Sequence, residues 1–309
     1  MAKNKSLGRW LLSGPPLLYL LVFFAIPTLI MAAAAFRYPG DYGGLLPLID
    51  INPDTGKNEL LINAQNWRDF LTFENFGRFF EDSIYIELFV KSFWYAGITT
   101  LVCLLMAYPL AWLIARSPKK YRDVMILLVI LPFWSNFLIR VYAWMIILGP
   151  QGYFVMTINQ ALSWVGIAPI QLMYTHFAVI VVLVYVHLPF MVLPLYANLE
   201  KHDVALLDAA QDLGASSWQR FWKITWPLSL PGVWAGAALV FIPALGMFAV
   251  PDLLGGTDGM MIGNLIKQQF LDSRDWPFGS VLSIMLTLAV LLMAGLAMLV
   301  GRGGKRNAL

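Results

Sequence analysis

The feature that most limits how this chain can fold is a series of six apolar stretches. Each is about as long as a helix needs to cross the hydrocarbon core of a bilayer, roughly 20 residues. They run over Trp10–Phe36, Phe89–Ile114, Val124–Leu148, Phe177–Tyr196, Gly232–Val250 and Ser280–Val300. A backbone amide in hydrocarbon finds no water to bond, so a spanning segment must satisfy its own N–H and C=O groups, as a helix does. Prolines recur inside the stretches, at Pro27, Pro109, Pro132, Pro189, Pro194 and Pro243. Neighbouring helices or waters satisfy the carbonyls that they free. Composition agrees, with 59% hydrophobic and 13% charged residues, against about 25% charged in a soluble domain. The expected fold class is an all-α polytopic membrane protein with six transmembrane helices.

The first stretch follows Lys3, Lys5 and Arg9 and ends in MAAAAF, which has the form of a signal peptide with a small-residue cleavage site. Its apolar run exceeds the roughly 7–15 residues of a signal core, and five more stretches follow. An uncleaved first span is therefore expected. Thirteen of the 21 lysines and arginines fall in the N-terminus, the 115–123 loop, the 197–231 loop and the C-terminal tail, while six fall in the alternate loops. The side richer in these residues is cytoplasmic, so both termini are expected there. The 37–88 loop is then external, with nine acids against four bases. Its first half is rich in Gly, Pro, Asp and Asn, which favour turns; helical apolar spacing resumes toward the second span. The expected organisation is a cytoplasmic 1–9, a first helix at 10–36, a periplasmic insertion at 37–88, a five-helix core at 89–300 and a cytoplasmic tail at 301–309.

Several chemistries find no support. Cys103 lies alone in an apolar run and is given no role. No cluster of His, Cys, Asp or Glu has metal-ligand spacing, no nucleophile–base pair stands out, and nothing calls for nucleic acid. His187, in mid-span beside Pro189, is read as bonding a backbone carbonyl freed by a nearby proline, with a proton relay as the alternative. No G-x-x-x-x-G-K-[ST] phosphate loop occurs.

The one half-polar stretch between spans lies in the 201–231 loop. Asp203 is a plausible N-cap, after which Val204, Leu207, Ala210 and Leu213 recur at helical spacing. Gly214 fits the left-handed position that ends many helices. Ser216 or Ser217 can cap a second helix with Trp218, Phe221, Trp222 and Trp226 on its apolar side, and Pro227 and Pro231 are expected to stop it. Such a pair of helices can lie in the membrane interface, resemble a helix-turn-helix, serve as a linker with no partner, or form a docking surface.

The spacing resembles the EAA loop of ABC-importer permeases, E-A-A-x3-G-x9-I-x-L-P. Here Asp208-Ala209-Ala210 is followed by three residues and Gly214, then by nine residues and Ile224, then by Pro227. Aspartate stands for the glutamate at 208 and Trp226 for the leucine. The resemblance implies the MetI-like fold of type I importers and a coupling helix seated in a cleft of a separate ATPase homodimer. That partner would bind ATP and Mg, with no cofactor in this chain. Asp208 and Arg220 would offer charge-assisted bonds to it, and small Ala209 and Ala210 close approach.

Three further stretches, LPFWSNFLIRVYAWMIILGPQGY (131–153), LPFMVLPLY (188–196) and PDLLGGTDGMMIGNLIKQQFLDSRDWPFGS (251–280), resemble the first permease subunit of spermidine/putrescine importers. This implies a second, similar permease and a periplasmic polyamine-binding protein as partners, in a bacterial inner membrane. A polyamine wants carboxylates at its ammonium groups and aromatic faces along its methylenes. Asp252 and Asp275, with Tyr142, Trp144 and Tyr185, are the candidates for the substrate path. Arg140, near the external boundary, could snorkel to water; because it would repel a polycation it is expected to be structural, paired with an acid such as Asp252 or Asp275. The alternatives are the same type of permease for a metal ion, sulfate or sugar, and an ATP-independent secondary transporter. The last class tends to show internal repeats and mid-membrane charges, which are not visible here.

Overall fold

The structure, a computed structural model, describes residues 13–51, 58–60 and 71–306. Lys3, Lys5, Arg9 and the start of the first expected span at Trp10 lie outside the described residues, as do Lys57, Arg68 and the end of the tail. The helices are α1 Ser13–Ala35, α2 Glu74–Glu81, α3 Ser83–Arg116, α4 Lys119–Ile130, α5 Phe137–Leu148, α6 Tyr153–Trp164, α7 His176–Leu199, α8 Val204–Asp212, α9 Ser217–Leu245, α10 Ala249–Leu254, α11 Ile262–Leu271 and α12 Trp276–Arg306. One small departure from an all-helical chain is the antiparallel pair β1 Ile49–Ile51 and β2 Asn58–Leu60, with Ile49 opposite Leu60. Among the described residues six stretches are long and apolar enough to cross a membrane: α1, α3, Phe137–Trp164, α7, α9 and Trp276–Gly295.

The third expected span, Val124–Leu148, is not one helix. After α4 the chain tightens into a 3-10 turn at Leu131–Trp134 and restarts as α5. Pro132 supplies no N–H to the ladder, Ser135 is extended at ψ 149°, and the Asn136 side chain accepts the Leu138 N–H at 2.8 Å as an N-cap. The apolar stretch long enough to cross is instead Phe137–Trp164, which turns at Gly149–Gly152. A β-carbon on Gly152 would lie 2.4 Å from the Ile146 carbonyl oxygen.

A second correction concerns Pro227 and Pro231, which do not end a helix. The backbone runs unbroken from Ser217 to Leu245, with a wide π-type turn at Phe221–Thr225. That turn bonds the Trp226 N–H to the Phe221 carbonyl, five residues back. Pro227, which has no N–H, follows at this change of register, where it costs the helix little.

Two compact units form. One comprises residues 88–264 and is centred on α7, whose most apolar window is 61% buried, against 6% for α1. α7 packs most extensively against α9. The contact is made by a Gly-x-x-x-Gly face: a β-carbon on Gly232 would sit 2.7 Å from Asn198 Cβ, and one on Gly236 2.6 Å from Met191 Sδ. Apolar association gains little in lipid, so close backbone approach through small residues supplies the attraction.

The other unit comprises residues 1–87 and 265–309. Here Asn75 Nδ2 donates to the carbonyls of Ala35 (3.1 Å) and Arg37 (2.9 Å), satisfying oxygens at the end of α1. Arg78 bridges to Asp275 at 2.7 Å and lies 4.2 Å from the centre of the Phe278 ring.

Candidate functional site

The loop between α7 and α9 builds an elbow from local bonds. Asp203 Oδ1 accepts the Ala205 N–H at 3.0 Å, the expected N-cap of α8. No residue of α8 is buried, and Asp208 and Ala209 are exposed. At its end the Ala215 N–H reaches the Ala210 carbonyl (2.9 Å) and the Gly214 N–H the Gln211 carbonyl (2.8 Å). This is the Schellman arrangement, which places Gly214 in the left-handed region, at φ +82°. A β-carbon there would meet no neighbour, so glycine is required by backbone conformation and not by space. Of the two serines considered, Ser216 is the cap. Its hydroxyl accepts the Gln219 N–H and its own N–H donates to Gln219 Oε1 at 2.9 Å, a capping box.

Arg220 points inward along the elbow. Its guanidinium donates to Gln211 Oε1 at 2.6 Å and to Ser217 Oγ at 3.1 Å. An open cleft of about 500 Å³ lies between the two arms, lined by Ala210, Gly214, Gln219, Arg220, Lys223 and Ile224. Four of the seven residues expected to couple thus share one concavity. Asp208 and Ala209 lie on the exposed helix beside it, and Pro227 is exposed one turn beyond. Toward the membrane, Tyr108 of α3 packs against Phe221 and Trp226, each 5.6 Å between ring centres, and shares a 2.9 Å hydrogen bond with the buried Ser229.

The residues expected along a substrate path are less united. Asp252 is exposed in the first turn of α10, where the buried Asn264 donates to its carboxylate at 3.2 Å and to the Phe248 carbonyl at 2.9 Å. Tight glycine packing fixes this segment: a β-carbon on Gly259 would lie 2.2 Å from Gly255 Cα. Trp144 and Tyr185 meet edge to face at 5.5 Å, both half-buried, whereas Tyr142 is exposed and apart from that pair. Asp275 is already engaged. One oxygen takes Arg78 and the other accepts the Phe278 N–H at 3.1 Å, capping α12.

Among the described residues no ion pair forms between Arg140 and the carboxylates expected for it. Its guanidinium lies 5.3 Å from the Phe133 ring centre and 6.0 Å from that of Phe137, within the range of cation–π attraction, and Asp275 takes Arg78 instead. His187 Nδ1 does meet a carbonyl, that of Leu183 at 2.8 Å. This is the carbonyl one turn below His187 itself and not the one that Pro189 frees, which belongs to Tyr185. Sequence reasoning missed Arg78, Gln211, Asn264 and the Arg122–Glu200 ion pair, because each acts through a partner distant in sequence or across a turn.

Residues 83–302, covering α3 to most of α12 and the elbow between them, match the model of the binding-protein-dependent transport system inner membrane component family. The chain belongs to this family. Among its relatives, the spermidine/putrescine transport system permease protein PotB of Escherichia coli K12 is 49% identical over 224 residues, 72% of this chain and 80% of that protein. PotB of Haemophilus influenzae is 41% identical over 278 residues, 89% of this chain and 87% of that one. A bacterial ABC transporter that imports the acidic polysaccharide alginate shares the fold, with a TM-score of 0.71 at 19% identity over 98% of this chain and 99% of that one. This family member is thus a multi-pass permease component of an ABC transporter in the inner membrane.

Proposed function

We propose that this chain forms half of the translocation pathway of an ATP-driven, binding-protein-dependent importer of polyamines such as spermidine and putrescine. Its partners in this reading are a second, similar permease, a periplasmic polyamine-binding protein and an ATPase homodimer that binds ATP and Mg. This chain does no covalent chemistry. Both termini and the 201–231 elbow face the cytoplasm, the 37–88 insertion faces the periplasm, and residues 89–300 are the core that rearranges.

The observation that carries the reading is the elbow. An exposed Asp208-Ala209 face stands on a short helix whose end is fixed by Gly214, and its second arm is continuous with a membrane span. A helix with no fully buried residue and with Asp208 and Ala209 exposed offers its surface to another protein, and force on it passes directly into α9. The cargo class is supported by the likeness to the PotB relatives. In this reading Asp252, held by Asn264, offers a carboxylate to an ammonium group. The Trp144–Tyr185 pair, with Tyr142, offers ring faces worth roughly 0.5–2 kcal/mol per cation contact. Arg78 neutralises Asp275, which leaves Asp275 the weaker candidate.

The test reconstitutes the complex in liposomes with a panel of loaded binding proteins. Spermidine- or putrescine-loaded protein should stimulate ATP hydrolysis and uptake, and sulfate-, molybdate- or sugar-loaded protein should not. Gly214→Val, which forces a β-branched residue to φ +82°, and Asp208→Ala should abolish uptake while the protein stays in the membrane. Normal uptake in both variants would end the coupling assignment; stimulation by another solute alone would end the polyamine assignment.

A further inference from the structure

Resting on the coupling role proposed for the elbow, we infer that Arg220 is a positioning residue. It braces the two arms of the elbow at a fixed angle through Gln211 and does not itself bond the ATPase.

A nine-residue helix with no buried side chain has little to orient it, since short helices are marginal on their own. The bonds that end α8 and begin α9 are each local. The Schellman pair lies within 210–215 and the capping box within 216–219. Neither fixes how one arm stands against the other. Among the described residues, the one side-chain hydrogen bond that joins α8 to α9 is Arg220 Nη1 to Gln211 Oε1, at 2.6 Å. The second branch of the same guanidinium is tied down to Ser217 Oγ at 3.1 Å, so the planar fork is held at both ends. A bond from a charged donor is among the stronger kinds. It spans the bend on the side of the cleft, where losing it would let Asp208 and Ala209 swing relative to α9. An elbow that yields under load absorbs the partner's motion and does not pass it to the span.

A direct contact between Arg220 and the ATPase predicts a different outcome, and a reciprocal exchange separates the two. In the assembled complex in liposomes, Gln211→Ala and Arg220→Gln should each lower the substrate transported per ATP hydrolysed about tenfold, the scale of one hydrogen bond to a charged group. The double variant Gln211→Arg with Arg220→Gln rebuilds the brace with the cation on the other arm and should recover transport to within about twofold. Should Arg220→Gln fail to assemble, Gln211→Ala alone removes the bond and should show the same loss. Wild-type coupling in Gln211→Ala, or an exchange variant no better than its worse single, would overturn the brace. Gly214→Val measured alongside distinguishes the two failures. If it abolishes transport while the Gln211 and Arg220 variants are silent, only the brace is wrong; if it too is silent, the coupling role of the elbow is wrong.

Discussion

Glu200 stands one residue past the end of α7, where it meets the Tyr196 hydroxyl and the Arg122 guanidinium. The hydrogen bond from Tyr196 and then the charge of Arg122 hold its carboxyl below the usual value, with desolvation opposing them. A carboxyl with a lowered value contributes stability above its ordinary pKa of about 4.3 and loses it only as pH falls through the lowered value. Near neutrality Glu200 therefore stays ionised. Wild type and Glu200→Gln should give parallel transport profiles between about pH 6 and 8, and a variant whose profile bends within that window would show the pair to be a pH sensor. Arg122 is held further by the carbonyls of Ala115 (3.0 Å) and Ser117 (3.3 Å), closing the end of α3. At this scale Asp203, Gly214 and the serine cap were legible because each acts on backbone within three or four residues. The bond from Arg220 to Gln211 was not legible, because a charge near a motif does not say which group of its own chain it meets.

Among the elements, α7 and α9 carry the core of the 88–264 unit, and their contact depends on an absence of side chain. A β-carbon on Gly232 would stand 2.7 Å from Asn198 Cβ and 3.1 Å from the Pro194 carbonyl oxygen, neither of which can rotate away. Gly232→Ala should therefore cost about 1–3 kcal/mol, as overpacking does, and lower the thermal unfolding midpoint in detergent. An unchanged midpoint would mean that the helices stand further apart. Gly-x-x-x-Gly is a readable signal and could have been caught from sequence. The π-type turn at Phe221–Thr225 could not, because hydrophobic spacing there fits an ordinary helix. The extra residue in the turn becomes visible only when Phe221 and Trp226 both close on Tyr108.

Across the whole molecule, contacts between distant parts of the chain decide what the charged residues do. Arg78 and Asp275 are 197 positions apart and meet at 2.7 Å, with side chains 47% and 16% exposed. A pair so open to water contributes at most about 1 kcal/mol, whereas Asp275 also caps α12, which adds about 1 kcal/mol. Asp275→Ala should thus lower the unfolding midpoint more than Arg78→Ala and leave the KM for polyamine unchanged; a raised KM with an unaltered midpoint would make Asp275 a cargo ligand instead. The sequence by itself determined that there are six apolar spans, the site of the elbow and the family, because length, period-3.6 spacing and the Asp208-to-Pro227 spacing are local properties of the chain. Only the tertiary structure decided that the third span breaks at Pro132, that Asp275 takes Arg78 and Arg140 lies among rings, and that Arg220 turns back on Gln211. A charged side chain settles on whichever partner folding brings within reach, and that distance is written nowhere along the chain.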